Sequence, residues 1–176
     1  SKIHATGTDR IFEVFEKSLK SEPELIVNLQ GDMPNIDPLA ISNLVSYVRD
    51  NKCDIGTLAS KLRSSEEEQN PNVVKVSVKK RLSEGTFGDA IDFFRINSNS
   101  NDFLYHHIGI YVFTNKALMR YVSLKRSKLE LERKLEQLRA LENKMKINVG
   151  YIDSCPLSVD TENDLTKIRK MMESNE

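Results

Sequence analysis

The chain has 176 residues, 39% of them hydrophobic, with 26 Lys and Arg set against 26 Asp and Glu. That length suits one domain, residues 1–176, around one sizeable core, and the balanced charge gives no reason to expect the broad basic surface that grips a nucleic-acid polymer or an anionic membrane. No apolar run approaches the roughly 18 residues that cross a bilayer, and the two distant cysteines, Cys53 and Cys155, build neither a disulfide framework nor a zinc cluster, so a cytoplasmic location is expected.

In chain order, SKIHATGTDR reads as a loop, after which Ile11, Phe12, Val14, Phe15 and Leu19 recur at helical spacing, with Thr8 or Asp9 placed to cap the first turn. Residues 25–29 form an unbroken apolar run, expected to be a strand buried on both faces, that ends against Gln30, Gly31 and Asp32. Leu39, Ile41, Leu44, Val45 and Val48 outline a second helix. Residues 54–61 suit a strand, 66–69 a charged surface turn, and the β-branched VVKVSV at 73–78 another strand. Strands are also expected at 90–94 and 109–113. LELERKLEQLRALEN, residues 129–143, consists almost wholly of good helix formers and predicts one continuous helix with Leu131, Leu135, Leu138 and Leu141 as its apolar stripe. A strand at 147–152 and a charged helix to about residue 172 complete an alternation that argues for an α/β layered fold, with antiparallel pairs open to the strand-rich stretch 73–113.

Several side chains stand where chemistry is done. Ligands of open α/β sheets gather beyond the carboxyl ends of strands, where Asp32 falls. A carboxylate there suits Mg²⁺, which takes one or two acidic oxygens plus waters and substrate phosphates; spacing alone equally allows a turn cap ahead of Pro34. Asp160, in SVDTENDL, has helix N-capping as its ordinary role. Alternation in HHIGIYVF directs His107, Gly109 and Tyr111 to one face, with His106, Ile108 and Ile110 on the other. Arg95 ends a strand and is able to grip an anion, while Glu136 and Gln137 interrupt the long helix's apolar stripe and on pattern alone are a solvated face.

HATGTDR, VNLQGDMP, NPNVVKV, FFR, HIGIYVF, LEQLRALEN and SVDTENDL resemble, in sequence and order from His4 to Leu165, the 3-deoxy-manno-octulosonate cytidylyltransferases. The resemblance implies transfer of CMP from CTP to the anomeric hydroxyl of Kdo (3-deoxy-manno-octulosonate), with Mg²⁺, for lipopolysaccharide biosynthesis. It also implies a homodimer with a Rossmann-like nucleotidyltransferase fold, a three-layer α/β sandwich around a mixed, mostly parallel sheet. By position, Asp32 and Asp160 match metal-binding carboxylates and Thr6, Gly7 and Arg10 border the nucleotide. Gln30, Arg95, His107, Tyr111, Glu136 and Gln137 match the sugar-acid pocket.

Departures from the pattern are Phe94 where relatives commonly carry serine, no proline after Arg95, Arg126 and Lys128 near a common proline, and Val112 for a common glycine. Nothing matches the family's opening strand and basic phosphate loop. The expectation is therefore that residues 1–176 represent the C-terminal two-thirds to three-quarters of the domain, with the N-terminal part absent, and are inactive alone. A cytidylyltransferase for another acidic sugar, such as a sialic acid, and a non-catalytic truncated remnant are the competing readings.

Overall fold

The computed structural model describes residues 4–19, 22–96, 103–159 and 161–173. Helix α1 (Gly7–Ser18) starts at Thr6, whose hydroxyl oxygen accepts from the Asp9 amide; Thr8, one of the two expected caps, is buried in the first turn instead. Strand β1 (Leu25–Asn28) leads to helix α2 (Pro38–Asp50), capped by Asp37, and strand β2 (Ile55–Ser60). The expected surface turn near residue 66 is a short helix, α3 (Ser65–Gln69), because Ser64 accepts from the Glu67 amide and caps it. Strands β3 (Lys75–Val78), β4 (Phe87–Phe94) and β5 (Phe103–Thr114) follow. Helix α4 (Asn115–Ser123), absent from the sequence expectations, is capped by Thr114 and buries Ala117, Leu118 and Tyr121. Helices α5 (Lys128–Arg133) and α6 (Gln137–Glu142), strand β6 (Ile147–Tyr151) and helix α7 (Glu162–Glu173) complete the order.

The six strands run β1-β5-β2-β6-β4-β3, and β5 also pairs with β3. Five strands therefore close on themselves, with β1 outside the ring. Among the described residues β2–β6 is the one parallel pair. The sheet is mixed as expected, but its pairings are mostly antiparallel rather than mostly parallel. The cause lies in the connections: among the described residues no helix separates β3, β4 and β5, and parallel neighbours need a long crossover. Burial of β1 is one-sided, since Val27 is 40% exposed while Ile26 and Asn28 are buried.

Two apolar clusters form. One joins Phe15, Leu118, Tyr121 and Leu138 to strand residues such as Val76, Phe93 and Tyr111. The other joins Leu44 and Val48 of α2 to Leu58, Ile108, Ile110 and Val112. Gly56 allows α2 to lie close on β2, because a Cβ there would stand 2.4 Å from Val48 Cγ2.

The continuous helix expected over 129–143 is broken. Lys134 takes a left-handed backbone (φ 55°) that ends α5, and Glu136 precedes α6. Glu130 and Arg139, 1% and 2% exposed, are paired across this break. Arg139 Nε and Nη2 donate to the two Glu130 oxygens at 2.9 and 2.7 Å. Arg126 Nε and the Ser127 amide donate to the same carboxylate, and the Arg139 guanidinium lies 4.4 Å from the centre of the Tyr121 ring. Two buried charges so well matched outweigh the good propensity of KLEQ for continuous helix. Leu131 of the expected stripe is consequently exposed, whereas Leu135 and Leu138 are buried.

Removing one partner strands the other charge, so Arg139→Met should destabilise the fold by ~3–5 kcal/mol. In urea unfolding the double variant Glu130→Met/Arg139→Met should recover most of that loss; equal losses in both would show that the pair does not hold the break.

Candidate active site

A pocket of about 760 Å³ collects residues from the start of α1, the end of β1, the end of β4, the middle of β5, the α5–α6 break and the segment before α7. Thr6, Gly7, Gln30, Asp32, Arg95, His107, Tyr111, Glu136 and Gln137 all line it. Arg10 is not among its lining residues and stands exposed one turn into α1. Asp160 lies outside the described residues.

Asp32 is tied to the segment leading toward residue 160. Its carbonyl accepts from the Val159 amide at 2.9 Å, its Oδ2 receives the Ser158 hydroxyl at 3.4 Å, and nearby Asn35 accepts from the Leu157 amide at 3.0 Å. Asp37 Oδ1 accepts from the Leu39 amide to cap α2, and among the described residues the Asp32 carboxylate receives the Ser158 hydroxyl but no backbone amide of the turn ahead of Pro34. Asp32 Oδ1 is buried with no hydrogen-bond partner among the described residues. A buried carboxylate oxygen without a donor is costly, and a cation relieves that cost. Among the described residues no three His, Cys, Asp or Glu side chains converge as a metal cluster. The one buried carboxylate oxygen of Asp32 could hold a hard cation whose other ligands are water and phosphate.

Glu136 is anchored rather than solvated. Its Oε2 accepts from the Thr8 amide at 3.1 Å, which places a carboxylate at the positive end of α1, and its carbonyl accepts from the Tyr121 hydroxyl at 2.9 Å. Gly7 faces the same carboxylate, where a Cβ would lie 3.5 Å from Oε1. On the opposite wall a Cβ at Gly109 would lie 3.4 Å from Gln30 Nε2, so the glycine leaves room for that amide to cross β5. Arg95 Nη1 donates to the Pro71 carbonyl at 3.0 Å. Beneath it the fully buried Lys75 gives Nζ hydrogen bonds to the carbonyls of Arg95 and Asn70 at 2.6 and 2.7 Å, clasping two stretches of pocket wall together. Burial lowers the Lys75 ammonium below its ordinary range.

His107 and Tyr111 share a face of β5, as alternation requires, with ring centres 5.5 Å apart. Burial, aided by neighbouring His106, lowers the His107 imidazole to about 3, so it is neutral near pH 7. Burial and the Glu136 charge raise the Tyr111 phenol well above its ordinary value, keeping it a donor. His106 also reaches the pocket wall, beyond the sequence expectation. Its Nδ1 sits 2.5 Å from Glu67 Oε1 and 3.5 Å from Cys155 Sγ. Burial opposes the His106 charge, but the Cys155 and Glu67 contacts prevail and raise it. The Cys155 thiol is lowered against its burial, chiefly by His106. Asn70, Arg126 and Lys134 are further lining residues that sequence reasoning did not select; the basic residues where relatives carry proline were the available signal for Arg126.

The cytidylyltransferase family profile matches residues 1–147. The 3-deoxy-manno-octulosonate cytidylyltransferase of Bartonella bacilliformis is 41% identical over 96% of this chain and 70% of its own length. That of Afipia carboxidovorans is 44% identical over 98% of this chain and 70% of its own. Among solved structures, CMP:2-keto-3-deoxy-manno-octonic acid synthetase complexed with CTP superposes with a TM-score of 0.83 and 32% identity, covering 98% of this chain and 70% of that one. A UDP-glucose pyrophosphorylase, at TM-score 0.65 and 10% identity over 99% of this chain and 62% of its own, shares the fold.

The His107 shift sets an acid limb on stability. Its folded value of about 3 lies below the ~6.5 of an unfolded histidine. The contribution is therefore complete above the unfolded value and is lost as pH falls through that window. In urea unfolding between about pH 7.5 and about pH 4, His107→Gln should lose less stability than the parent, by up to a few kcal/mol. Parallel losses would show that His107 is not the buried neutral group.

Proposed function

The chain belongs to the cytidylyltransferase family, within it to the 3-deoxy-manno-octulosonate cytidylyltransferases, and on that footing we propose that its pocket moves CMP from CTP to the anomeric hydroxyl of Kdo for lipopolysaccharide biosynthesis. The observation that carries the reading is the convergence of nine expected site residues from distant segments on one pocket wall. No observation favours the sialic acid or the non-catalytic alternative.

The reaction is an in-line displacement. The sugar oxygen bonds to the α-phosphorus, the α–β bridging bond breaks, and pyrophosphate carries away the electron pair; no covalent enzyme intermediate is needed. Asp32 and Asp160 would hold Mg²⁺, and the unsatisfied Asp32 Oδ1 fits that assignment. When bound, the ion neutralises triphosphate charge and lowers the pKa of an attacking hydroxyl. Thr6 and Gly7 border the nucleotide, and Arg10 supports them from the exposed side of α1. Arg95, anchored by one hydrogen bond to Pro71, keeps guanidinium donors for a two-bond grip on the sugar carboxylate. Gln30 and Gln137 offer amides to sugar hydroxyls, Tyr111 a phenol, and neutral His107 a ring nitrogen; Glu136 orients the start of α1 against them. The same reading makes the two apolar clusters the two interlayer cores of a three-layer sandwich, residues 1–176 part of one domain, and the protein a cytoplasmic homodimer.

With the family's opening strand and phosphate loop present, Asp32→Asn should lower CMP-Kdo formation more than about hundredfold with the unfolding midpoint little changed, since charge stabilisation of several kcal/mol is lost. Near-normal pyrophosphate release at ordinary Mg²⁺ would sink the metal assignment. Arg95→Ala should raise the KM for Kdo at least ~10-fold and leave that for CTP nearly unchanged, with lysine rescuing poorly; an equal rise for both substrates would contradict the carboxylate grip.

A further inference from the structure

His107 is held from behind by a residue outside the pocket. Thr57 of β2, with no exposed surface, places its Oγ1 2.9 Å from His107 Nε2, 2.7 Å from the Ile110 carbonyl and 3.2 Å from the Ile108 carbonyl. The pairing of β2 with β5 shifts register between Thr57 and Leu58, and two β5 carbonyls there turn to the side-chain hydroxyl.

A threonine hydroxyl has one hydrogen, and carbonyl oxygens only accept. The shorter contact, to Ile110, takes that hydrogen. The remaining contact to His107 then requires the imidazole to donate, from Nε2–H to an oxygen lone pair. A neutral imidazole carries a single N–H, so Nδ1 is left as an acceptor. Nδ1 has no hydrogen-bond partner among the described residues, and the ring lines the pocket. The edge of Phe93, 5.0 Å away between ring centres, and the tilted Tyr111 ring hem the imidazole in. Threonine suits the task because its β-branch restricts χ1 and so aims the hydroxyl.

We infer that Thr57 is a positioning residue for sugar-acid recognition, fixing His107 as the Nε2–H tautomer so that Nδ1 accepts a hydrogen bond from a substrate hydroxyl. This rests on the assignment of His107 to the sugar pocket. It deepens that assignment by stating which atom acts and in which sense: the site reads a hydroxyl donor at this point, which a cationic histidine could not do.

Nitrogen-15 NMR of the histidine side chains, with steady-state kinetics on CTP and Kdo, tests both halves on the parent, Thr57→Val, Thr57→Ser and His107→Phe, each with the family's opening strand and phosphate loop present. The parent and Thr57→Ser should show a single Nε2–H tautomer for His107, and Thr57→Val should lose it. Thr57→Val should raise the KM for Kdo ~10-fold or more while that for CTP moves little, and Thr57→Ser should restore it. An Nδ1–H tautomer in the parent overturns the inference without recourse to any variant, which covers the case in which Thr57→Val does not fold. A raised Kdo KM in His107→Phe with none in folded Thr57→Val overturns the role of Thr57 and leaves the sugar pocket standing. An unchanged Kdo KM in His107→Phe overturns the sugar-pocket assignment, and the recognition half of the inference with it.

Discussion

The buried pair of Glu130 and Arg139 is the constraint on which the site's geometry depends. It fastens α5 to α6 across the left-handed turn at Lys134, and it reaches α1 as well, where Arg139 Nη1 lies 3.4 Å from Asp9 Oδ1. Three helix ends are thereby set against one another, and the first residues of α1 and α6 face the same pocket. Glu136, at the head of α6, completes the arrangement by accepting from the first turn of α1. Charge buried at this depth is expensive unless every oxygen is met. Glu130 receives two donors from Arg139, one from Arg126 and one from the Ser127 amide.

The pocket uses fixed polarity of two kinds. Around the proposed sugar end, His107 and Tyr111 are buried and uncharged near neutral pH, so they discriminate by the direction of hydrogen bonds rather than by charge. Asp32 carries a buried oxygen without a donor among the described residues, a position suited to a cation. Lys75, beneath the wall, holds two backbone carbonyls and keeps Arg95 near its place without entering the pocket. Phosphoryl transfer needs mainly positioning and neutralisation, and the first is served by pocket residues such as Glu136 and Arg95 whose own partners are already fixed.

Much of this was legible in the sequence, and the misses have physical causes. Strand positions such as those of β2 and β6 follow from their β-branched or apolar runs, and the residues that meet in the pocket from the order of the matching motifs. The break at Lys134 was hidden because every residue around it favours helix; a contact between Glu130 and Arg139 decided the outcome, and propensity does not encode it. Helix α4 was overlooked although Ala117, Leu118 and Tyr121 have helical spacing, since it follows a strand with no connecting loop. Thr57 and Lys75 read as ordinary strand residues, because their importance comes from partners 50 and 20 positions away respectively. The cap at Thr6 was missed by two residues, the usual uncertainty of helix ends.

Closure of five strands on themselves has a consequence for how the chain reaches this state. β5 must meet β1, β2 and β3 along a single run of residues, and β2 must find β6, beside which Asp54 and Lys146 are joined across 92 positions. Little of this pairing is local, and loop closure is spent before the contacts return anything, so the folding rate is governed by long-range search. The strand that carries His107, Gly109 and Tyr111 is the one with the most partners to assemble. In a nascent chain the stretch VVKVSV pairs with β4 along one edge while its other edge waits for β5, which makes the interval before ring closure the period of greatest exposure to aggregation.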